Sequence, residues 1–139
     1  MIIESQNFGT IEYDDDSIIS FDDGLIGFPL FTKFVIFLLD LGDNDCIYAL
    51  QSVEEPLFGF VIMNVSPVLR DYAPSFDEPI GLCDVYNIAT VGDSLEETTV
   101  NLKAPILINM EQKSGRQLIT NSDYPIKFHI FKSPSWGGA

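Results

Sequence analysis

The side chains that could do chemistry in this sequence are few and lie far apart. His129 is the only histidine, and it stands between Phe128 and Ile130, in a chain with no Gly-x-Ser-x-Gly elbow and no reactive-cysteine signature. A histidine without a nucleophile beside it cannot serve as the base of a catalytic triad, so we interpret His129 as structural. The sequence therefore predicts no catalytic residue, and we expect that the protein is not an enzyme.

Metal and cofactor sites are also not indicated. Residues 14–16 are three aspartates and residues 43–45 read Asp-Asn-Asp, but neither run has the spacing and terminal glutamate of a calcium loop. Cys46 and Cys83 fit no metal-ligand spacing and are too few for a disulfide scaffold, which is typical of reduced thiols in the cytoplasm. No glycine-rich phosphate loop is present. We expect no metal and no cofactor.

The charge balance is the strongest compositional signal. The chain of 139 residues has 21 acidic and 7 basic residues, with a formal net charge of -14 and a pI near 4.1. Such a body repels phosphate backbones, so direct nucleic-acid binding is not expected, and a basic partner is favoured. The N-terminus has no basic segment followed by an apolar core, and no run of about 18 apolar residues occurs. We predict a soluble cytoplasmic protein that does not bind membranes.

The clearest periodicity lies between Thr99 and Pro125. Apolar residues fill the even positions from Val100 to Ile108, a period of two that predicts one β-strand with a buried face. The polar run 111–115 ends in a glycine able to adopt positive φ, and the strand pattern resumes at 116–121. These segments predict an antiparallel hairpin.

Three irregular features are expected: an interruption of the strand pattern at Pro105 and two ordered segments. Pro105 has no N–H to donate to the hydrogen-bond ladder of a sheet, which predicts a bulge or an unpaired side of the strand. The segment Asn121–Pro125 predicts a corner held by side-chain hydrogen bonds. Residues 22–29 contain two glycines and a proline among large apolar groups, so we expect Leu25 and Phe28 to plug one end of the core.

The remaining apolar runs complete the fold prediction. A first hairpin is predicted from two short strand-like runs, Ile2–Ser5 and Thr10–Tyr13. We expect residues 64–83 to be mostly loop and Gly59 to form a bulge. Further strands are predicted at Ser17–Phe21, Phe34–Leu39, Cys46–Ser52, Leu57–Met63, Asp84–Val91 and Ile126–Phe131. The fold class is therefore all-β: a single-domain antiparallel β-barrel-like fold of about nine short strands with little or no helix. We assign the domain to residues 1–132 and expect residues 133–139 to form a disordered tail.

Several of these segments match one protein family. The matching segments are Phe21–Phe28, Leu50-Gln51-Ser52 with Pro56 and Phe60-Val61, Val100–Ile106 with Ile108-Asn109, Gly115-Arg116-Gln117 and Asn121–Pro125. In this order they resemble the signature of the FliW flagellar assembly factor family across almost the whole chain. Ile26 departs from the family pattern, which has proline there, and residues 64–83 depart most.

The resemblance implies a non-enzymatic protein that acts by partner exchange in the cytoplasm. Proteins of this family bind flagellin and, when flagellin is exported, are freed to bind CsrA, a dimeric RNA-binding repressor of flagellin mRNA translation. It also implies a monomer when free. Two alternatives stay open: a flagellin chaperone without a regulatory role, and a small-molecule-binding barrel with a mouth lined by Phe28, Phe31 and Tyr124.

Two groups of residues are singled out on this basis. The candidates for partner contact are Asp22, Asp23, Lys103, Arg116, Asp123 and Tyr124. The signature residues, which could maintain the fold or touch a partner, are Gly24, Gly27, Phe28, Gln51, Pro105, Asn121 and Pro125.

Overall fold

A computed structural model describes residues 1–39 and 47–131, and most of their regular structure is β-strand. The strands are β1 (Ile2–Ser5), β2 (Gly9–Glu12), β3 (Ile19–Ser20), β4 (Lys33–Leu38), β5 (Ile47–Ser52), β6 (Gly59–Met63), β7 (Asp84–Thr90), β8 (Thr99–Val100), β9 (Ile106–Asn109), β10 (Ser114–Gln117) and β11 (Phe128–His129). Within the described ranges, helical structure is limited to two 3₁₀ turns at Asp15–Ser17 and Leu95–Glu97.

Seven strands close into a barrel in the order β7, β6, β5, β4, β3, β10, β9 and back to β7. Closure leaves no unpaired edge within the ring, which confirms the all-β, barrel-like prediction. One pairing differs from the antiparallel expectation, because β3 and β10 run parallel where Ser20 lies opposite Ser114. β8 pairs with the other half of β7 and carries β11 on its outer side.

Side chains fill the centre of the ring, as in other small barrels. The buried core cluster consists of Ile19, Phe21, Leu25, Phe34, Leu50, Ile62, Tyr86, Ile106 and Ile108. The predicted first hairpin is confirmed: β1 and β2 pair with Ile3 opposite Ile11, and both side chains pack on Val35. The hairpin therefore covers the outside of the barrel at β4.

The prediction of one strand from Val100 to Ile108 is wrong in its middle. The chain leaves the sheet after Val100 and returns at Ile106. The Asn101 side-chain oxygen accepts hydrogen bonds from the backbone N–H groups of Lys103 and Ala104, both at 3.0 Å, which replaces the strand ladder by a turn. Pro105 follows this turn and lies buried just before β9.

The β9–β10 hairpin is confirmed, but its glycine has a different role from the predicted one. The positive φ of 52° belongs to Lys113, whereas Gly115 lies inside β10. A Cβ at Gly115 would lie 2.4 Å from the Cζ atom of Phe21, so the glycine makes room for this core ring.

Other predicted boundaries also move. The last strand is Phe128–His129 rather than Ile126–Phe131, the resumed strand stops at Gln117, and Ser17–Phe21 shrinks to Ile19–Ser20. Gly59 is no bulge, since it pairs in regular register with Gln51. Residues 64–83 form loops and turns, as predicted. The acidic run 43–45, Cys46 and the tail 133–139 lie outside the described residues.

Candidate functional site

Five of the six predicted contact residues lie in three separate surface depressions. Asp22, Asp23 and Arg116 line one of them, a polar depression of about 490 Å³. The Arg116 guanidinium donates to the Glu78 carboxylate and to the Pro79 carbonyl, each at 3.0 Å. Arg116 therefore fastens the loop of residues 64–83 to β10. Asp123 is exposed at the corner formed by residues 121–125.

Tyr124 lies in a second depression, of about 660 Å³, together with Tyr72. The two rings meet edge to face with centroids 4.8 Å apart. The Tyr72 hydroxyl donates to the Leu102 carbonyl at 2.7 Å and accepts from the buried Asn87 amide at 3.0 Å. Burial raises the pKa of Tyr72 to about 12, against the opposing effect of the Asn87 hydrogen bond.

We expect the alkaline limit of stability to lie between pH 10 and 12. Burial also raises the pKa of Tyr86 to about 12, from an ordinary tyrosine value of 10.0. Because both folded-state pKa values exceed the unfolded one, this stabilisation is complete below pH 10 and is lost as the pH rises towards 12. Urea unfolding across this range, with phenolate absorbance as a second readout, measures the loss. The double variant Tyr72→Phe, Tyr86→Phe should flatten it. Ionisation of all five tyrosines in one step near pH 10 would contradict the assignment.

Lys103 belongs to a third depression, which we call the apolar groove. It has a volume of about 490 Å³, and Lys103 is the one charged residue among those that line it. The lining residues are Leu25, Ile26, Phe28, Phe60, Ile88, Asn101, Lys103, Ala104, Gln117, Ile119 and Ile126. Four of the apolar side chains are unusually exposed: Ile26 at 50%, Phe28 at 42%, Ile119 at 59% and Ile126 at 64%.

An aromatic cluster extends the apolar groove on one side. The Phe58 ring packs against Phe28 and Phe31 at centroid distances of 4.3 and 4.5 Å, and against Phe60 at 5.4 Å. Leu25 is buried as predicted, but the expectation that Phe28 plugs the core is wrong, because its ring leans on Phe58 at the surface.

The hypothetical small-molecule mouth is not assembled in this structure. Phe28 and Phe31 share Phe58 as a neighbour, but Tyr124 packs on Tyr72 in the second depression. The three rings therefore do not line one cavity.

Two glutamines fix the loops that carry the exposed apolar side chains. The Gln51 amide nitrogen donates to the carbonyls of Ser52, Glu55 and Phe58, and its oxygen accepts from the Ser5 hydroxyl at 2.7 Å. On the other loop, Gln117 accepts from Ile26 N–H at 2.9 Å and donates to the Ala104 carbonyl at 3.0 Å. The groove is therefore formed by fixed loops.

The close packing around Gln51 and around the Phe28 backbone requires glycine at two positions. A Cβ at Gly59 would lie 2.3 Å from the Gln51 side-chain oxygen, so Gly59 leaves the space that the glutamine fills. Gly24 has φ +66°, and a Cβ there would lie 2.4 Å from the Phe28 carbonyl oxygen. Leu25 and Phe28 close the loop with two backbone hydrogen bonds.

Three further signature residues make hydrogen bonds within the chain. The Pro105 carbonyl accepts from Leu118 N–H at 3.2 Å, and the Pro125 carbonyl accepts from Leu102 N–H at 3.1 Å. Asn121 accepts a hydrogen bond from the Ser75 hydroxyl and donates from its backbone to the Ser75 carbonyl.

The residues of this surface that were missed from the sequence are Phe58, Ile88, Ile119 and Ile126, and Gln117 was noted only as part of the family match. A large apolar side chain beside the turn of residues 53–56 was a signal that could have identified Phe58, whereas Ile119 and Ile126 look like ordinary strand positions. His129 is exposed on β11.

Two further findings concern residues 1–39 and 47–131. In that part of the chain no three histidine, cysteine, aspartate or glutamate side chains group closely enough to hold a metal ion. Among the same residues no helix has the length and apolar character needed to cross a membrane.

Comparisons with known proteins agree with one another. The family model described as FliW protein matches residues 2–130. Flagellar assembly factor FliW of Clostridium kluyveri is 33% identical over 142 residues, covering 95% of this chain and 97% of the relative, and that of Clostridium botulinum strain Okra is 33% identical with 95% and 98% covered. A crystal structure of the flagellar assembly factor FliW superposes with a TM-score of 0.85 at 31% identity, covering 95% of this chain and 98% of the other. The chain belongs to the FliW family of flagellar assembly factors.

Proposed function

We propose that this protein is a cytoplasmic partner switch that binds flagellin and, when free, binds CsrA and relieves its repression of flagellin mRNA translation. It acts by binding and not by catalysis, and it is a monomer when free. The observation that carries the proposal is the family match over residues 2–130, combined with a net charge of -14. An RNA-binding repressor needs a basic surface, which an acidic protein can recognise.

Charge supplies a mechanism for releasing RNA. An acidic body docked beside the RNA-binding surface of CsrA places negative potential where phosphates approach, so RNA is repelled without competing for the same atoms. Thermodynamic linkage then requires RNA to weaken the binding of this protein to CsrA by the same factor. Both effects should shrink as salt is added, because salt screens the repulsion.

Equilibrium binding to each purified partner tests the proposal. We expect this protein to bind flagellin and CsrA separately, and we expect excess flagellin to reduce the fraction bound to CsrA. Binding to neither partner would contradict the partner switch. Binding to flagellin alone would leave the chaperone alternative.

A further inference from the structure

The apolar groove has the character of a binding surface. Its four exposed apolar side chains, Ile26, Phe28, Ile119 and Ile126, line one depression on a strongly acidic protein. Contiguous exposed apolar surface on a monomer marks an interaction site. We propose that this groove binds an apolar segment of flagellin that carries a carboxylate opposite Lys103. The inference rests on the proposed function and assigns a surface to one of its partners.

The groove is prepared for an apolar occupant. Its lining contains no carboxylate, although the chain has 21 acidic residues. Gln117 fixes Ile26, and Gln51 fixes the turn that carries Phe58. Because these loops are held by hydrogen bonds, little ordering is required when a partner binds.

Lys103 determines the charge that the occupant should carry. Its ammonium group donates to the Ser122 carbonyl, which uses one of three N–H donors. The net charge of -14 repels an acidic ligand from the protein surface in general, whereas in the apolar groove the Lys103 cation lies beside apolar side chains. A carboxylate on the bound segment would therefore be attracted to this position.

The chemistry of the groove favours flagellin over CsrA. Flagellin subunits assemble permanently into a filament, and permanent interfaces are rich in apolar surface. Before export, this apolar surface has to be shielded from water by a partner. A basic RNA-binding protein is instead attracted by acidic groups, which the groove lining lacks. The two interactions should therefore respond differently to salt: CsrA binding should weaken strongly as salt rises, whereas flagellin binding should weaken by no more than the contribution of the Lys103 contact.

Matched glutamate substitutions test the assignment. Ile126 in the groove and Val91 outside it are both 64% exposed, so Ile126→Glu and Val91→Glu add the same charge at equal exposure. Circular dichroism and urea unfolding verify that both variants fold. We expect Ile126→Glu to weaken flagellin binding by about tenfold or more, because it places a charge in an apolar contact. Val91→Glu should bind flagellin normally, and both variants should bind CsrA equally well.

Lys103→Gln provides a second, independent test. Removing the cation should weaken flagellin binding about threefold to tenfold and leave CsrA binding unchanged or slightly stronger. The Lys103→Gln effect should disappear at high salt, where a charge contact contributes little.

The outcomes separate this inference from the proposed function. If the unaltered protein binds flagellin and Ile126→Glu binds it equally well, the groove assignment is overturned and the partner switch stands. Loss of CsrA binding in Ile126→Glu would also overturn the assignment, because CsrA would then be the occupant. A dimer of the unaltered protein that Ile126→Glu dissociates would identify a second copy as the occupant instead. No flagellin binding by the unaltered protein overturns both.

Discussion

Replacing Gly24 by alanine should destabilise the protein by about 3 kcal/mol, the sum of left-handed backbone strain and overpacking. The backbone at Gly24 has φ +66°, and the new Cβ would meet the Phe28 carbonyl oxygen at 2.4 Å and the Pro29 Cα atom at 2.7 Å. Backbone atoms cannot swing away as a side chain can. Urea unfolding of the variant gives the free energy of unfolding directly.

Gly27 supplies the control for this prediction. Its φ is +88°, but a Cβ there would meet no atom within 4 Å. Gly27→Ala should therefore show the backbone cost alone, about 1 kcal/mol. Equal destabilisation by both substitutions would show that the close approach of Phe28 and Pro29 to Gly24 does not limit this position.

Replacing Gln51 by methionine should cost about 3 kcal/mol, because the Ser5 hydroxyl loses its buried acceptor and the carbonyls of Glu55 and Phe58 keep only their backbone donors. Gln51 is fully buried, and methionine approximates its volume while removing the donor to Ser52, Glu55 and Phe58 and the acceptor for Ser5. The turn that carries Phe58 should loosen, so we also expect weaker flagellin binding.

Gln117→Met is the matched change on the other loop. Gln117 is only partly buried and makes two hydrogen bonds to the backbone, so we expect a loss of about 1 kcal/mol. Should Gln51→Met unfold at the same urea concentration as the unaltered protein, the Gln51 network would not stabilise the fold.

The sequence was informative where the apolar residues of a strand form a continuous run or alternate with polar ones. The β4–β5–β6 meander was predictable from continuous apolar runs, and the first hairpin from two short strands around Gly9. Barrel closure was not predictable in detail, because the β3–β10 contact is a single residue pair between segments almost a hundred positions apart. The turn at Asn101 was missed because its side chain competes locally with a strand pattern that continues through it.

Site prediction from the sequence was less complete for a physical reason. Charged residues such as Asp22 and Arg116 are obvious candidates for contact, yet Arg116 is engaged with Glu78 inside the chain. The exposed residues Ile119 and Ile126 look like ordinary strand positions, and only the folded structure shows that they share one groove. Exposure of an apolar side chain depends on neighbours that are distant in sequence.

RNA release from CsrA is the direct test of the proposed partner switch. This protein is titrated into a preformed complex of CsrA with labelled flagellin leader RNA, with and without flagellin, at low and high salt. We expect RNA to be released, and we expect flagellin to suppress this release and rising salt to weaken it, because charge repulsion drives it. Saturating protein that leaves the RNA bound, or release that flagellin does not affect, would contradict the partner switch.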